Sequence, residues 1–161
     1  MNKYKICMVG DFAVGKTSLT QKFVNNVFSE KYLTTVGVKI DTASVGEDKI
    51  VVWDIAGRDS LAPINLSYLL GARGIVFVAD LTRPDTHPAV LKAWELVEEK
   101  APQAVCAVAL NKMDLQHEVV DSSIMQQWQD RGWSIVQTSA KSGWGVDELF
   151  TSLVEKISAK A

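Results

Sequence analysis

Short apolar runs alternate with amphipathic helical stretches from one end of this chain to the other, and few folds accept that rhythm. Tyr4 to Val9 is apolar and leads into a glycine loop, and Lys16 to Asn25 follows with Leu19, Phe23 and Val24 at helical spacing. Residues 26 to 35 carry no period and read as a loop. Val36, Val38 and Ile40 then alternate with Gly37, Lys39 and Asp41, the period of a half-buried strand. Residues 45 to 49 read as a hairpin connection into Ile50-Val51-Val52-Trp53. Beyond it, strands at Gly74 to Ala79, Ala104 to Leu110 and Trp133 to Gln137 alternate with helices at Ala89 to Lys100 and Ser122 to Asp130. A last helix aligns Val146, Leu149, Phe150, Leu153, Val154 and Ile157 on one face, with Asp147 and Glu148 in its first turn. This pattern predicts an α/β domain with a mostly parallel sheet covered by helices on both faces; the hairpin adds an antiparallel edge strand. No repeat or linker interrupts it, so residues 1 to 161 read as one domain.

Ligands of such sheets bind beyond the carboxyl ends of the strands, so the residues after each strand matter most. The first such loop, Gly10-Asp11-Phe12-Ala13-Val14-Gly15-Lys16-Thr17, matches G-x-x-x-x-G-K-[ST] between a strand and a helix. Backbone N–H groups in this loop can converge on an anion with help from the helix N-terminus. Gly10 and Gly15 let the backbone bend that closely. Lys16 can reach β- and γ-phosphates, and the Thr17 hydroxyl can ligate Mg²⁺.

Three further loops carry chemistry. Asn111-Lys112-Met113-Asp114 matches N-K-x-D after the strand ending at Leu110. A carboxylate at Asp114 can accept from both N1–H and the N2 amine of guanine, a donor pair that adenine lacks. The stem of Lys112 can lie over the base, and Asn111 can tie loops together. In Thr138-Ser139-Ala140-Lys141, the Ala140 N–H can donate to guanine O6 and Lys141 can pack near the base. In Trp53-Asp54-Ile55-Ala56-Gly57, Asp54 can hold Mg²⁺ through water, and the Gly57 N–H can approach a γ-phosphate where no side chain would fit.

With Thr34-Thr35-Val36-Gly37 between them, these motifs make the chain similar to a small GTPase of the Ras superfamily, most of all to the Rab branch. The likeness runs nearly the whole length. It implies the P-loop NTPase fold, with a six-stranded sheet, five helices and two mobile switches, and a GTP-on, GDP-off cycle with Mg²⁺. By position it implies that Thr35 is the switch I Mg²⁺ ligand, although Thr34 is an adjacent candidate. It makes Phe28 the aromatic that packs edge-on against guanine, with a plain core contact as the alternative. Tyr32 becomes the tyrosine that can close over the phosphates, Ser18 the α-phosphate contact, and Ser139 a nucleotide contact in the base loop. Lys16, Thr35, Gly57 and the residue after Gly57 form the catalytic set. Two residues depart from the pattern. Arg58 stands where the family usually has the Gln that orients the attacking water. Phe12 stands where a small residue is usual. Both fall on hydrolysis rather than binding.

Composition sets the remaining limits. At 47% apolar and 22% charged, the chain is an ordinary globular protein rather than a disordered one. A net charge of −2 argues against nucleic acid as a partner. Cys7 and Cys106 lie in apolar strands as buried small hydrophobes, with no disulfide or zinc spacing, which fits the cytoplasm. Asn2 excludes N-myristoylation, and the final residues carry no cysteine. The expectation is a monomer with no intrinsic lipid anchor in this sequence: either membrane recruitment goes through a partner, or the natural chain is longer, or the protein works in the cytosol. Trp144 is an expected packing contact over the last helix, with a partner anchor as the alternative. Trp94 and Trp128 read as packing, and His87 and His117 as solvated side chains.

Three functions compete on this reading: a regulated GTPase switch with slow intrinsic hydrolysis, a GTP-binding recruitment module with negligible turnover, and a P-loop kinase or ATPase. Asp114 disfavours the third. Effectors, an exchange factor and an activating protein are expected partners of the first, and the sequence names none of them.

Overall fold

A computed structural model describes residues 2–11, 13–25, 38–55 and 66–160. Six strands form one sheet: β1 (Lys3–Gly10), β2 (Val38–Val45), β3 (Asp48–Ile55), β4 (Gly74–Asp80), β5 (Val105–Asn111) and β6 (Ser134–Gln137). Their spatial order is β2-β3-β1-β4-β5-β6. Every pairing is parallel except β2 with β3. The β2–β3 hairpin closes through Gly46 and Glu47, between the facing pair Val45 and Asp48. Gly46 sits at φ +60, a backbone conformation that glycine adopts without steric cost.

Four α-helices lie among the described residues: α1 (Lys16–Asn25), α2 (Ala89–Val97), α3 (Ser122–Asp130) and α4 (Val146–Lys160). The resemblance implies five. The α2 helix is shorter than the predicted 89–100, because its last stretch tightens into turns, with Lys100 N–H donating to Val97 C=O. At α3, Asp121 caps the free N–H groups of Ser123 and Ile124 with one carboxylate oxygen.

Side-chain alternation along the central strands builds two cores. Ile6, Met8, Val76 and Val78 face α1 and α4, packing with Leu19, Leu149, Phe150 and Leu153. Cys7, Val9, Ile75 and Phe77 face α2 and α3, packing with Val90, Val97 and Trp128. The Phe23 and Phe150 rings stack at 4.1 Å between α1 and α4. Trp94 and Trp133 close around Phe77 on the other face, at 6.3 and 5.4 Å from its ring. Trp128 is fully buried, so the packing roles predicted for both helical tryptophans hold. The edge strand departs from its predicted pattern. The alternation puts Ile40 on the buried face, yet it is 49% exposed on β2, the edge strand of the sheet.

Because β1, β3, β4, β5 and β6 run the same way, their carboxyl ends share one edge of the sheet. The loops beginning at Asp11, Leu81, Lys112 and Thr138 gather there.

Candidate functional site

The loop between β1 and α1 is shaped by contacts that leave no room for side chains. A Cβ on Gly10 would lie 2.9 Å from both the Val14 side chain and the Val78 carbonyl. Gly15 has φ +91, and a Cβ there would run into the Asn111 amide. Ala13 takes φ +62 without being glycine, a conformation that costs about 1–2 kcal/mol. Such strain survives only where neighbours hold it in place.

Those neighbours come from the end of β5. Asn111, 1% exposed, donates from Nδ2 to the Val14 carbonyl at 3.0 Å and accepts from Thr138 Oγ1 at 3.1 Å. Lys112 Nζ donates to the Ala13 carbonyl at 2.9 Å and pairs with the Asp80 carboxylate at 2.8 Å. Lys112 itself has φ +67. The loops after β1, β4, β5 and β6 are thus cross-bonded into one unit.

Lys16 heads α1 with its ammonium 2.5 Å from Asp54 Oδ1. Both side chains are buried, and a charge buried without its partner would be far costlier than the pair. Thr17 and Ser18 follow at the first turn of α1, half-buried. A hydroxyl and a carboxylate, Thr17 and Asp54, are the oxygen donors a hard cation such as Mg²⁺ accepts. Gly10 and Gly15 let the loop pack this closely against Val14, Val78 and Asn111, and Lys16, at the head of α1, is the cation that a phosphate chain arriving there would meet.

Asp114 lies on the exposed rim, its carboxylate aligned by the Ser139 hydroxyl at 2.8 Å. Ser139 is fully buried and also accepts from the Ser142 N–H at 3.0 Å. Ala140 is buried and Lys141 exposed. Gly145, at φ +71, passes so close to the Gln137 carbonyl that no other residue fits.

Sequence reasoning therefore places Asp11, Ala13 to Ser18, Asp54, Asn111, Lys112, Asp114 and Ser139 to Lys141 along one edge of the sheet. Phe12, Phe28, Tyr32, Thr34, Thr35, Gly57 and Arg58 lie outside the described residues. Two expectations are corrected. His87 is 3% exposed instead of solvated, because its ring turns inward to the Asp80 carbonyl. Trp144 is 63% exposed instead of packed on α4, because the turn from Ser139 to Gly143 carries it outward. Sequence reasoning missed Asp80. The available signal was a carboxylate ending the otherwise apolar run Gly74 to Ala79, where burial demands a partner.

Comparison with known proteins gives this geometry its family. The Ras family model matches residues 5–159. The chain belongs to the Ras family. Among its Rab-like relatives is Ras-related protein Rab-1C of Dictyostelium discoideum, 32% identical over 161 residues, covering 95% of this chain and 80% of the relative. Ras-related protein Rab-13 of Canis lupus familiaris is 33% identical, covering 98% and 81%. Ras-related protein Rab-1 of Theileria parva is 30% identical, covering 98% and 75%. As a Ras-family protein of Rab type, the chain is a GTP-binding small GTPase of the signalling or trafficking kind. Guanine nucleotides, effectors, exchange factors and activating proteins are the partners of that family in general. No helix among the described residues is long and apolar enough to cross a membrane.

Proposed function

We propose that this chain is a GTP/GDP switch, one domain over residues 1 to 161, in which binding is intact and intrinsic hydrolysis is slow. The observation that carries the binding half is the clamp made by Asn111 and Lys112, which joins the base loop to the phosphate loop through the Val14 and Ala13 carbonyls. Fixing these loops to each other before the ligand arrives removes an ordering cost from binding. In this reading the N–H groups of Asp11 to Ser18 hold the phosphates, and Lys16 leaves Asp54 to meet the β- and γ-phosphates. Asp114, Ser139, Ala140 and Lys141 read and flank guanine. Phe28 packs on the base, Tyr32 closes over the phosphates, and Thr35 and Gly57 sense the γ-phosphate. Thr17, Thr35 and Asp54 would hold Mg²⁺, which supplies charge neutralisation at the phosphates.

Hydrolysis needs a side chain that positions water, and this role falls to Arg58 by place in the chain. A Gln accepts from that water while donating elsewhere. Arg has five donors and no acceptor. Arg58 therefore cannot replace Gln in orienting water, although its charge could stabilise the transition state. Phe12 adds a ring where an arginine from an activating protein would enter. The intrinsic rate is expected at or below the ~10⁻⁴ s⁻¹ scale of unassisted Ras. The chain then works as a cytoplasmic monomer that partners bring to a membrane surface, with no role on nucleic acid.

Single-turnover hydrolysis of bound GTP tests this. Arg58→Gln should raise the rate. Arg58→Ala separates two roles: no change makes Arg58 a bystander, and a further fall of about tenfold gives it a charge role. A fast wild-type rate, unchanged in both variants, contradicts the proposal.

A further inference from the structure

The turn that follows β4 meets the base loop through its backbone, the Leu81 N–H donating to the Asn111 carbonyl at 3.0 Å, and its side chains hold the residue on which Lys112 depends. Asp80 ends β4 and is fully buried. Its carboxylate Oδ1 accepts from the Thr82 N–H at 2.8 Å and the Thr82 hydroxyl at 2.6 Å. Its Oδ2 faces Lys112 Nζ at 2.8 Å. The backbone of Asp80 is tied as well. Its N–H donates to Thr86 Oγ1 at 2.9 Å, and that hydroxyl has the Arg83 carbonyl at 2.8 Å and the Asp80 carbonyl at 3.2 Å as acceptors for its own proton. His87 Nε2 lies 2.9 Å from the Asp80 carbonyl, which can only accept, so this nitrogen carries the proton. Thr86 and His87 are 1% and 3% exposed, so these bonds form away from water, where a lost partner is not replaced.

The consequence reaches the phosphate loop. Lys112 keeps an unfavourable left-handed backbone while its ammonium bridges Asp80 and the Ala13 carbonyl. If Asp80 turned, Lys112 would lose one anchor and the strained backbones at 112 and 13 would lose their brace. We propose that Thr86 and His87 are positioning residues for nucleotide retention: by fixing the Asp80 backbone they aim its carboxylate at Lys112, and so hold the base loop against the phosphate loop. Neither touches the ligand. The inference rests on the proposed place of Lys112 at the guanine nucleotide.

The test follows release of N-methylanthraniloyl-GDP from the full chain, chased with excess GDP. His87→Phe keeps a ring and removes the donor, and should speed release roughly five- to tenfold. His87→Gln, which retains an N–H donor, should recover most of that loss. Thr86→Val, near in volume, should behave like His87→Phe and serves where that variant does not fold. The deciding measurement is the same pair in a Lys112→Met background. There neither change should alter release further, since residues acting through one group are not additive. Equal acceleration in both backgrounds, or none in wild type, overturns the inference and leaves a merely structural turn. Failure of the unmodified chain to retain the labelled GDP overturns the guanine-nucleotide reading itself.

Discussion

Lys112 Nζ donates to the carbonyl of Ala13 across 99 residues of sequence separation, and these two are the non-glycine residues with left-handed backbones among the described residues. One hydrogen bond thus joins the two most strained positions of the site. Strain of this kind costs about 1–3 kcal/mol per residue and persists where surrounding bonds over-determine it. Here the surroundings are the Asp80 ion pair and the Asn111 clamp.

Removing that clamp should be expensive. Asn111→Ala leaves the Val14 carbonyl and the Thr138 hydroxyl without their partner in a buried site. The expected loss is roughly 2–4 kcal/mol. Thermal unfolding should show a midpoint lower by about 5–15 °C. A shift under a degree would mean that the loops are held by other contacts.

Two glycines separate backbone strain from collision. Gly46→Ala meets open space and should cost only the left-handed backbone, about 1 kcal/mol. Gly145→Ala has a similar φ of +71 but drives its methyl into the Gln137 carbonyl. It should cost at least about 2 kcal/mol more, unless β6 gives way. Urea unfolding of the two variants measures the difference, and equal losses would contradict the contact.

The thiols predict an alkaline limit. Burial pushes both Cys7 and Cys106 up from 9.0 to about 12, opposed by the nearby charges of Lys5 and Lys160 respectively. Above pH 9 the unfolded chain sheds these protons while the folded chain keeps them. The folded state then binds more protons, and stability falls as pH rises from 9 towards 12. At pH 10 the loss is roughly 1.4 kcal/mol per thiol. Replacing both cysteines by alanine should flatten that part of the pH–stability curve. An unchanged slope would place its origin elsewhere.

The exposure of Trp144 gives a simple check. At 63% exposed it contributes little to the core, so Trp144→Ala should change stability by less than about 0.5 kcal/mol. A loss of 2 kcal/mol or more in a urea titration would restore the packing role over α4.

The sheet, the hairpin and the two covered faces were legible because period and punctuation agree: apolar runs end at Gly10, at Asn111 and at the Thr138 loop, where the chemistry begins. The first turn of α1 could be read from Gly15-Lys16-Thr17 alone. His87 and Asp80 were not legible, because their burial is a tertiary fact. His87 lies in the polar stretch Arg83 to Pro88, and only the 3-10 turn at Pro84–Thr86 swings its ring under the end of β4. Trp144 misled for the opposite reason. A large aromatic between two glycines looks like packing, yet positive φ at Gly143 and Gly145 carries it to the rim.

Base selection is the most direct test of the central claim. Labelled GDP bound to the chain should be displaced by GTP or GDP at micromolar concentration or below, while ATP should need at least about a thousandfold more, as paired hydrogen bonds to one base edge allow. Asp114→Asn should transfer this preference to xanthine nucleotides, because Asn offers a donor to the xanthine oxygen. Displacement by ATP and GTP at equal concentrations would contradict the account.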